Sequence, residues 1–226
     1  MPQPPRSAAS APSARAPARA APVARLAASQ LRRMRAIVDA AVALAEKGGF
    51  EGVRLRDVAE ASGVALGTLY KYFRSKEDIL LFALQEEMER LEAALAARPG
   101  HAASALERLD DFFARATRGL TRRPNLARAA LRAVSSGEHD LAAKVAGFHL
   151  RTTRLIVAAL RGEPAPQGGA LDEGYGDGRE RAIASVLDHV WFASLVGWSG
   201  GLHSTREVTE RTRSAAELLL GAPARG

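Results

Sequence analysis

The stretch that decides the fold is Leu55–Phe73, LRDVAEASGVALGTLYKYF. It reads as a helix, a tight turn and a second helix. Ala59 falls where the two helices cross, and a larger side chain there would hold them apart. Gly63 ends the first helix, where positive φ carries no steric cost for glycine. Val58, Val64 and Leu69 fall where the helices and the turn share a small core. A helix-turn-helix of this kind sets its second helix to lie in the major groove of DNA.

The N-terminal end of that second helix, the end that meets base edges, carries Ala65, Leu66, Gly67 and Thr68. Thr68 can bond a phosphate or a base, and Leu66 can touch a thymine methyl. Gly67 lets the helix backbone come close. Lys71, one turn beyond Thr68, can reach a guanine or a phosphate. Tyr70 and Tyr72 offer phenolic donors to the DNA backbone. Lys76 opens the next helix, whose first N–H groups already favour phosphate. Arg54 and Arg56 flank the start of the first helix, and Arg32, Arg33 and Arg35 lie on the helix before it. Aromatic rings usually bury, so Phe73 reads as core, and Tyr70 as a packed ring with its hydroxyl outside. Each of these arginines reads equally as part of a solvated face.

On the N-terminal side, residues 1–28 are Ala, Pro, Ser and Arg with little hydrophobic periodicity, and read as a disordered basic tail. The DNA-binding domain is placed at 29–76. Ile37, Ala41, Leu44 and Ala45 form the apolar stripe of an opening helix, stopped by Gly48-Gly49. Ser75-Lys76-Glu77-Asp78 looks like a capping box. It opens a long helix through Ile79, Leu84, Met88 and Leu95 that Pro99-Gly100 ends. A helical domain over 77–226 follows. Its helices are expected over 103–120, 124–134, 140–160 and 179–199, and from a second capping box at Ser204-Thr205-Arg206-Glu207 to Leu220. Residues 162–178 are rich in Gly and Pro and read as a mobile loop. No strand and no repeat is expected, so the fold class is all-α.

Composition sets the outer limits. The 226 residues, 47% hydrophobic, suffice for one large or two small domains with a real core. The absence of cysteine excludes disulfides, thiolate catalysis and Cys-based zinc sites. The longest apolar run, Val186 to Trp198, is broken by Asp188 and His189 and is too short to span a bilayer, so no membrane partner is expected. The basic N-terminus lacks the apolar segment of a secretory signal. The net charge of +7 is unevenly placed. Arg6, Arg15, Arg19 and Arg25 meet no acid in the first 30 residues, whereas 31–91 holds acids and bases in equal number. Net charge therefore does not mark the DNA face. The tail can add only a salt-sensitive, non-specific attraction to phosphate.

Several ordered motifs make the chain resemble the TetR family of transcriptional regulators. They are Gly48 to Glu51, Val58-Ala59-Glu60-Ala61-Ser62-Gly63-Val64, Gly67-Thr68-Leu69-Tyr70-Lys71-Tyr72-Phe73 and Ser75-Lys76-Glu77, and the resemblance spans residues 31–91. It implies an all-α homodimer of the bacterial cytoplasm and nucleoid. An N-terminal three-helix DNA-binding domain would read a palindromic operator, and a larger C-terminal domain would bind effector and dimerise. It also implies that Tyr70, Lys71, Tyr72 and Lys76 contact mainly phosphates, which fix register rather than sequence. A second resemblance, through Pro124 to Val134, residues 162–178 and Val190 to Trp198, is to the actinobacterial repressors of sterol and cholesterol breakdown. It implies release from DNA by a steroid or other acyl-CoA thioester. The sequence departs from those repressors around Arg132 to Ser136.

In the C-terminal part Phe112, Phe113, Phe148, His149, Trp191, Ser194 and Trp198 are the candidate ligand residues. Phe112, Phe113, Phe148 and Trp191 could line an apolar cavity for a flat hydrophobic effector, and the same aromatics read equally as core or dimer interface. Asp188 and His189 are adjacent and cannot face one metal from a helix, so neither metal nor cofactor is expected. The mechanism that follows is a population shift. Ligand would move the long helix from Ser75, and the two recognition helices of the dimer would lose their match to successive major grooves. Two other readings stay open: a regulator of efflux or fatty-acid metabolism answering a lipophilic molecule, and a dimeric repressor without effector. No phosphate loop, dinucleotide fingerprint, His-Glu-x-x-His or nucleophile elbow is present, so catalysis is not expected.

Overall fold

The computed structural model describes residues 20–97, 104–165 and 174–221. Among these residues the chain is all-α, as expected. The helices are α1 (Ala20–Gly52), α2 (Leu55–Ser62), α3 (Leu66–Leu69), α4 (Lys76–Ala97), α5 (Ala105–Thr121), α6 (Pro124–Val134), α7 (Ala142–Arg161), α8 (Gly178–Ser199) and α9 (Thr205–Gly221). A 3-10 turn, His139–Leu141, precedes α7.

One expectation at the N-terminus changes. Residues 20–28 were expected to be disordered, and they are the first turns of α1. Alanine has the highest helix propensity, and Pro22 falls in the first turn, where N–H groups have no intrahelical partner to lose. The rest of the expected tail, residues 1–19, lies outside the described residues. At Gly48-Gly49 the helical geometry does break, as expected: Gly49 takes φ 61° and ψ −156°, and a short second piece runs on to Gly52.

Apolar stripes join these helices into one core. Ile37, Val38, Ala41 and Ala45 of α1 bury against Val58 and Ala59 of α2, Leu69, Phe73, and Ile79, Leu80 and Leu84 of α4. α6 lies along both α1 and α4, while α5 packs on α7 and α9. α8 packs on α6, α7 and α9, with Leu187, Trp191 and Leu195 fully buried. The apolar run in α8 is short, but the whole helix is long and apolar enough, by length and composition, to cross a bilayer. In this fold it is a core helix, and it carries the buried Asp188.

Helix starts follow the sequence where a cap is local. Ser204 and Glu207 close the expected box at α9: Glu207 N–H donates to Ser204 Oγ at 3.2 Å and Ser204 N–H to the Glu207 carboxylate at 2.7 Å. Pro124 is the first residue of α6. At α4 the box differs from expectation. Asp78 N–H donates to Ser75 Oγ at 3.2 Å, but the Asp78 carboxylate accepts from Arg74 N–H rather than from Ser75. Two further boxes, Ser104/Glu107 at α5 and Asp177/Glu180 at α8, were not anticipated. The expected end of α4 at Pro99-Gly100 and the middle of the expected 162–178 loop lie outside the described residues.

The α8 box is tied to α7. Arg161 donates to both Glu180 oxygens, at 3.0 and 3.1 Å from Nε and 2.7 Å from NH2. The Arg161 hydrogen bond, with that from Asp177 N–H, holds the Glu180 carboxyl below its usual range. A depressed carboxyl stabilises the fold above its unfolded pKa, and that contribution disappears as pH falls through the folded value. Glu180→Gln should therefore lower the melting temperature at pH 7. The gap to wild type should close as the buffer is taken down through the carboxylate range, as thermal denaturation at several pH values would record.

Candidate DNA interface and effector cavity

The turn between α2 and α3 is built as the sequence demands. Gly63 caps α2 in the left-handed conformation, φ 67° and ψ 20°. Its N–H bonds Glu60 O at 3.1 Å, and Val64 N–H returns to Ala59 O at 3.1 Å. Val58 and Leu69 are fully buried and Ala59 and Phe73 nearly so, which fixes the angle between the helices. α3 has only four α-helical residues. Its last turn tightens into i−3 bonds, Lys71 N–H to Thr68 O and Tyr72 N–H to Leu69 O.

Most of the predicted DNA-contacting residues come together on this unit. Ala65, Gly67, Lys71, Arg54 and Arg56 are exposed, and Leu66, Thr68 and Tyr72 are half-buried. Tyr70 is 52% exposed, so its ring as well as its hydroxyl faces solvent. A Cβ on Gly67 would meet open space, so packing within the chain does not require glycine there. Lys76 is placed differently from expectation. Its Nζ donates to Phe50 O at 3.3 Å and lies 3.8 Å from the centre of the Phe50 ring. The ammonium thus sits against the C-terminal end of α1.

The same ring receives a second cation. Arg132 of α6 lies 4.4 Å from the Phe50 centroid and pairs with Glu51 at 2.8 Å. At the other end of α6, Arg123 pairs with Glu46 and, at 3.7 Å, with Glu87 of α4. Asn125 donates to Glu46 O at 2.8 Å. The start of α4 is held by the segment around the 3-10 turn: Arg74 meets Asp140 at 3.2 Å, Ser75 meets Glu138, and Lys144 pairs with the buried Asp78. Sequence reading did not anticipate this clasp. The glutamates and arginines look like ordinary surface charge in a linear scan.

A cavity of about 260 Å³ opens between the far end of α4, α5 and the end of α7. Leu95, Ala96, Phe112, Leu155, Ala158, Ala159 and Ala165 make its apolar wall, and Glu92, Arg108, Asp111, Arg115 and Glu163 its charged edge. Arg108 donates to Ala159 O and Leu160 O at the end of α7, at 2.9 and 2.6 Å. Of the seven aromatic and polar ligand candidates, only Phe112 lines the cavity. Phe113 packs between Phe112 and Trp191 at 4.9 and 5.9 Å. Trp191 is fully buried and donates to Thr117 Oγ1 at 2.9 Å. Phe148 and His149 cluster with Phe192 on the α7–α8 face, where His149 Nδ1 meets Asp188 Oδ2 at 2.7 Å. Ser194 Oγ bonds Val190 O, and Trp198 carries Arg128 over its ring. Among the described residues no group of three or more His, Cys, Asp or Glu is placed to hold a metal.

Comparison with known proteins fits this geometry. Residues 37–82 match the family described as bacterial regulatory proteins, tetR family, and residues 102–219 a tetracyclin repressor-like C-terminal domain. The chain belongs to the TetR family. It is 36% identical over 194 residues to the HTH-type transcriptional repressor KstR of Rhodococcus jostii, covering 85% of each chain. It is 32% identical to KstR of Mycobacterium tuberculosis, over 85% of this chain and 83% of that one. A TetR transcriptional regulator from Rhodococcus sp. RHA1 superposes with a TM-score of 0.71 at 24% identity, over 85% of this chain and 97% of that one. The relatives are transcriptional regulators, and members of the family bind operator DNA and dimerise.

The left-handed cap yields a direct test. Gly63→Ala meets no clash, so its cost is backbone strain alone, about 1–2 kcal/mol. Urea denaturation should show that loss in the midpoint with an unchanged slope.

Proposed function

We propose that this protein is a homodimeric repressor of the bacterial cytoplasm, acting at the nucleoid, that leaves its operator when an apolar effector enters the α4–α5–α7 cavity. The observation that carries this is α4 itself. Its first turn is built into the reading unit through Asp78 and Lys76, and its far end supplies Glu92, Leu95 and Ala96 to the cavity wall. A ligand that favours one position of α4 shifts the population of dimers whose two α3 helices fit grooves about 34 Å apart.

The effector class is a steroid or other acyl-CoA thioester. Its support is the pair of KstR relatives and an apolar wall near the lower end of ligand-pocket volumes. The apolar part of such a ligand enters the cavity, and the coenzyme A portion remains at the charged edge. On the DNA side, Leu66, Gly67 and Thr68 meet base edges. Tyr70, Lys71, Tyr72, Arg54 and Arg56 hold phosphates. Lys76 acts through Phe50, by fixing α4 against α1. The protein carries out no catalysis.

Fluorescence anisotropy on DNA from the gene's own upstream region, with scrambled competitor, tests this reading. Lys71→Ala, which removes one phosphate contact from each half of the dimer, should weaken binding at least about tenfold, alike on operator and scrambled DNA, and flatten the salt dependence by about two units of slope. Steroid coenzyme A thioesters should release the wild type. Ala158→Phe, which puts a ring into the cavity, should raise the concentration needed by more than about tenfold. Equal operator binding with and without saturating thioester would refute ligand release.

A further inference from the structure

The charge on α5 does not stop at the cavity. Arg108, Asp111 and Arg115 stand at the cavity edge, and Arg118 and Arg122 follow them at the same three- and four-residue steps. Residues so spaced share one face of a helix. Arg122, the C-cap, keeps helical φ and ψ, so the stripe runs unbroken from the cavity to the α5–α6 turn. From Arg108 to Arg122 it covers about 21 Å along the axis. Between Phe112 and Gly137 the sequence holds six arginines and no acid, so nothing nearby in the chain offsets the outer end of this stripe.

The inner arginines are already engaged. Arg108 donates to Ala159 O and Leu160 O, and Arg115 to Asp111 at 3.1 Å and Ala94 O at 3.0 Å. The outer two are exposed, and among the described residues neither Arg118 nor Arg122 has an ion pair or a side-chain hydrogen bond. They stand one helical turn apart, where like charges repel unless an anion lies between them. α6 begins at Pro124 with no side-chain cap, which sets the positive end of a second helix beside Arg122. Two guanidinium forks at this spacing suit phosphate, whose oxygens accept paired, charge-assisted hydrogen bonds.

We propose that Arg118 and Arg122 hold phosphate groups of the effector, which lies along α5 with its apolar end in the cavity. This rests on the cavity being the effector site, and it adds the residues by which that site tells a coenzyme A thioester from an apolar ligand without phosphate. Coenzyme A suits the span, because its pantetheine arm separates the thioester from the diphosphate and the 3′-phosphate. A free acid of the same apolar group fills the cavity and leaves both arginines empty.

Cholyl coenzyme A and cholyl pantetheine share an acyl group and a thioester, and only the first carries phosphates. Each is titrated calorimetrically into the full chain. The coenzyme A thioester should bind the wild type more tightly, and added salt should erode that advantage. Arg118→Gln and Arg122→Gln should each weaken it about fivefold, and the double variant about twentyfold. Cholyl pantetheine should bind all variants as it binds wild type. Both substitutions exchange good helix formers at exposed positions, so the variants should melt within a degree or two of wild type. Without ligand they should bind operator DNA as wild type does. Equal loss for both thioesters, no loss for either, or no wild-type preference for the coenzyme A form would overturn the phosphate site. Weaker operator binding by the ligand-free variants would overturn it too, by making the stripe a DNA contact. If neither thioester bound the wild type, the effector-cavity reading itself would fall, and this proposal with it.

Discussion

α4 has to satisfy two burial demands with one uninterrupted helix. Ile79, Leu80, Leu81, Leu84 and Met88 are packed into the same core that orients α2 and α3, and Leu95 faces the cavity. Twenty-two residues make it about 33 Å long, and among the described residues no kink separates its two ends. In the mechanism proposed above, a displacement at Leu95 is carried along α4 to the buried Asp78 carboxylate. That group accepts from Arg74 N–H at the end of the reading unit and pairs with Lys144 of α7. The carboxylate is buried and the Lys144 ammonium half-exposed, so the pair links α7 to the start of α4 without being sealed from solvent.

α6 supplies the counterweight. It lies along α1 and α4 and is tied near both ends, by Arg123 and Asn125 at Glu46 and by Arg132 at Phe50 and Glu51. Exposed ion pairs contribute little individually. Their effect here is on geometry: they set which face of α1 α6 can grip. The cations over Phe50 come from α4 and α6 at once, so the ring reports the position of both helices to the end of α1.

What the sequence disclosed was local. The αL glycine at 63, the crossing alanine at 59, the proline at 124 and the Ser204–Glu207 box all act within a few residues, and each stands where it was read. The cavity was not legible. It was sought among large aromatics, but Phe113, Trp191 and Phe148 fill space and became core. The cavity exists where Ala96, Ala158, Ala159 and Gly162 fail to fill the gap between helices. Small residues signal a void only once the helices that face them are known. The partners of Lys76 were hidden for a related reason: its place at a helix start suggests phosphate, and its carbonyl and ring contacts come from Phe50, 26 residues away.

The chain has no cysteine, so a single introduced thiol can carry a spin label without background. Placing it at the exposed position 60 on α2 and measuring label-to-label distances across the dimer by pulsed electron resonance tests the central claim that effector acts through α4. The account predicts one narrow distance distribution without ligand. A saturating steroid coenzyme A thioester should move it by several ångströms, at the concentration that releases DNA. Superimposable distributions with ligand bound and DNA released would contradict it.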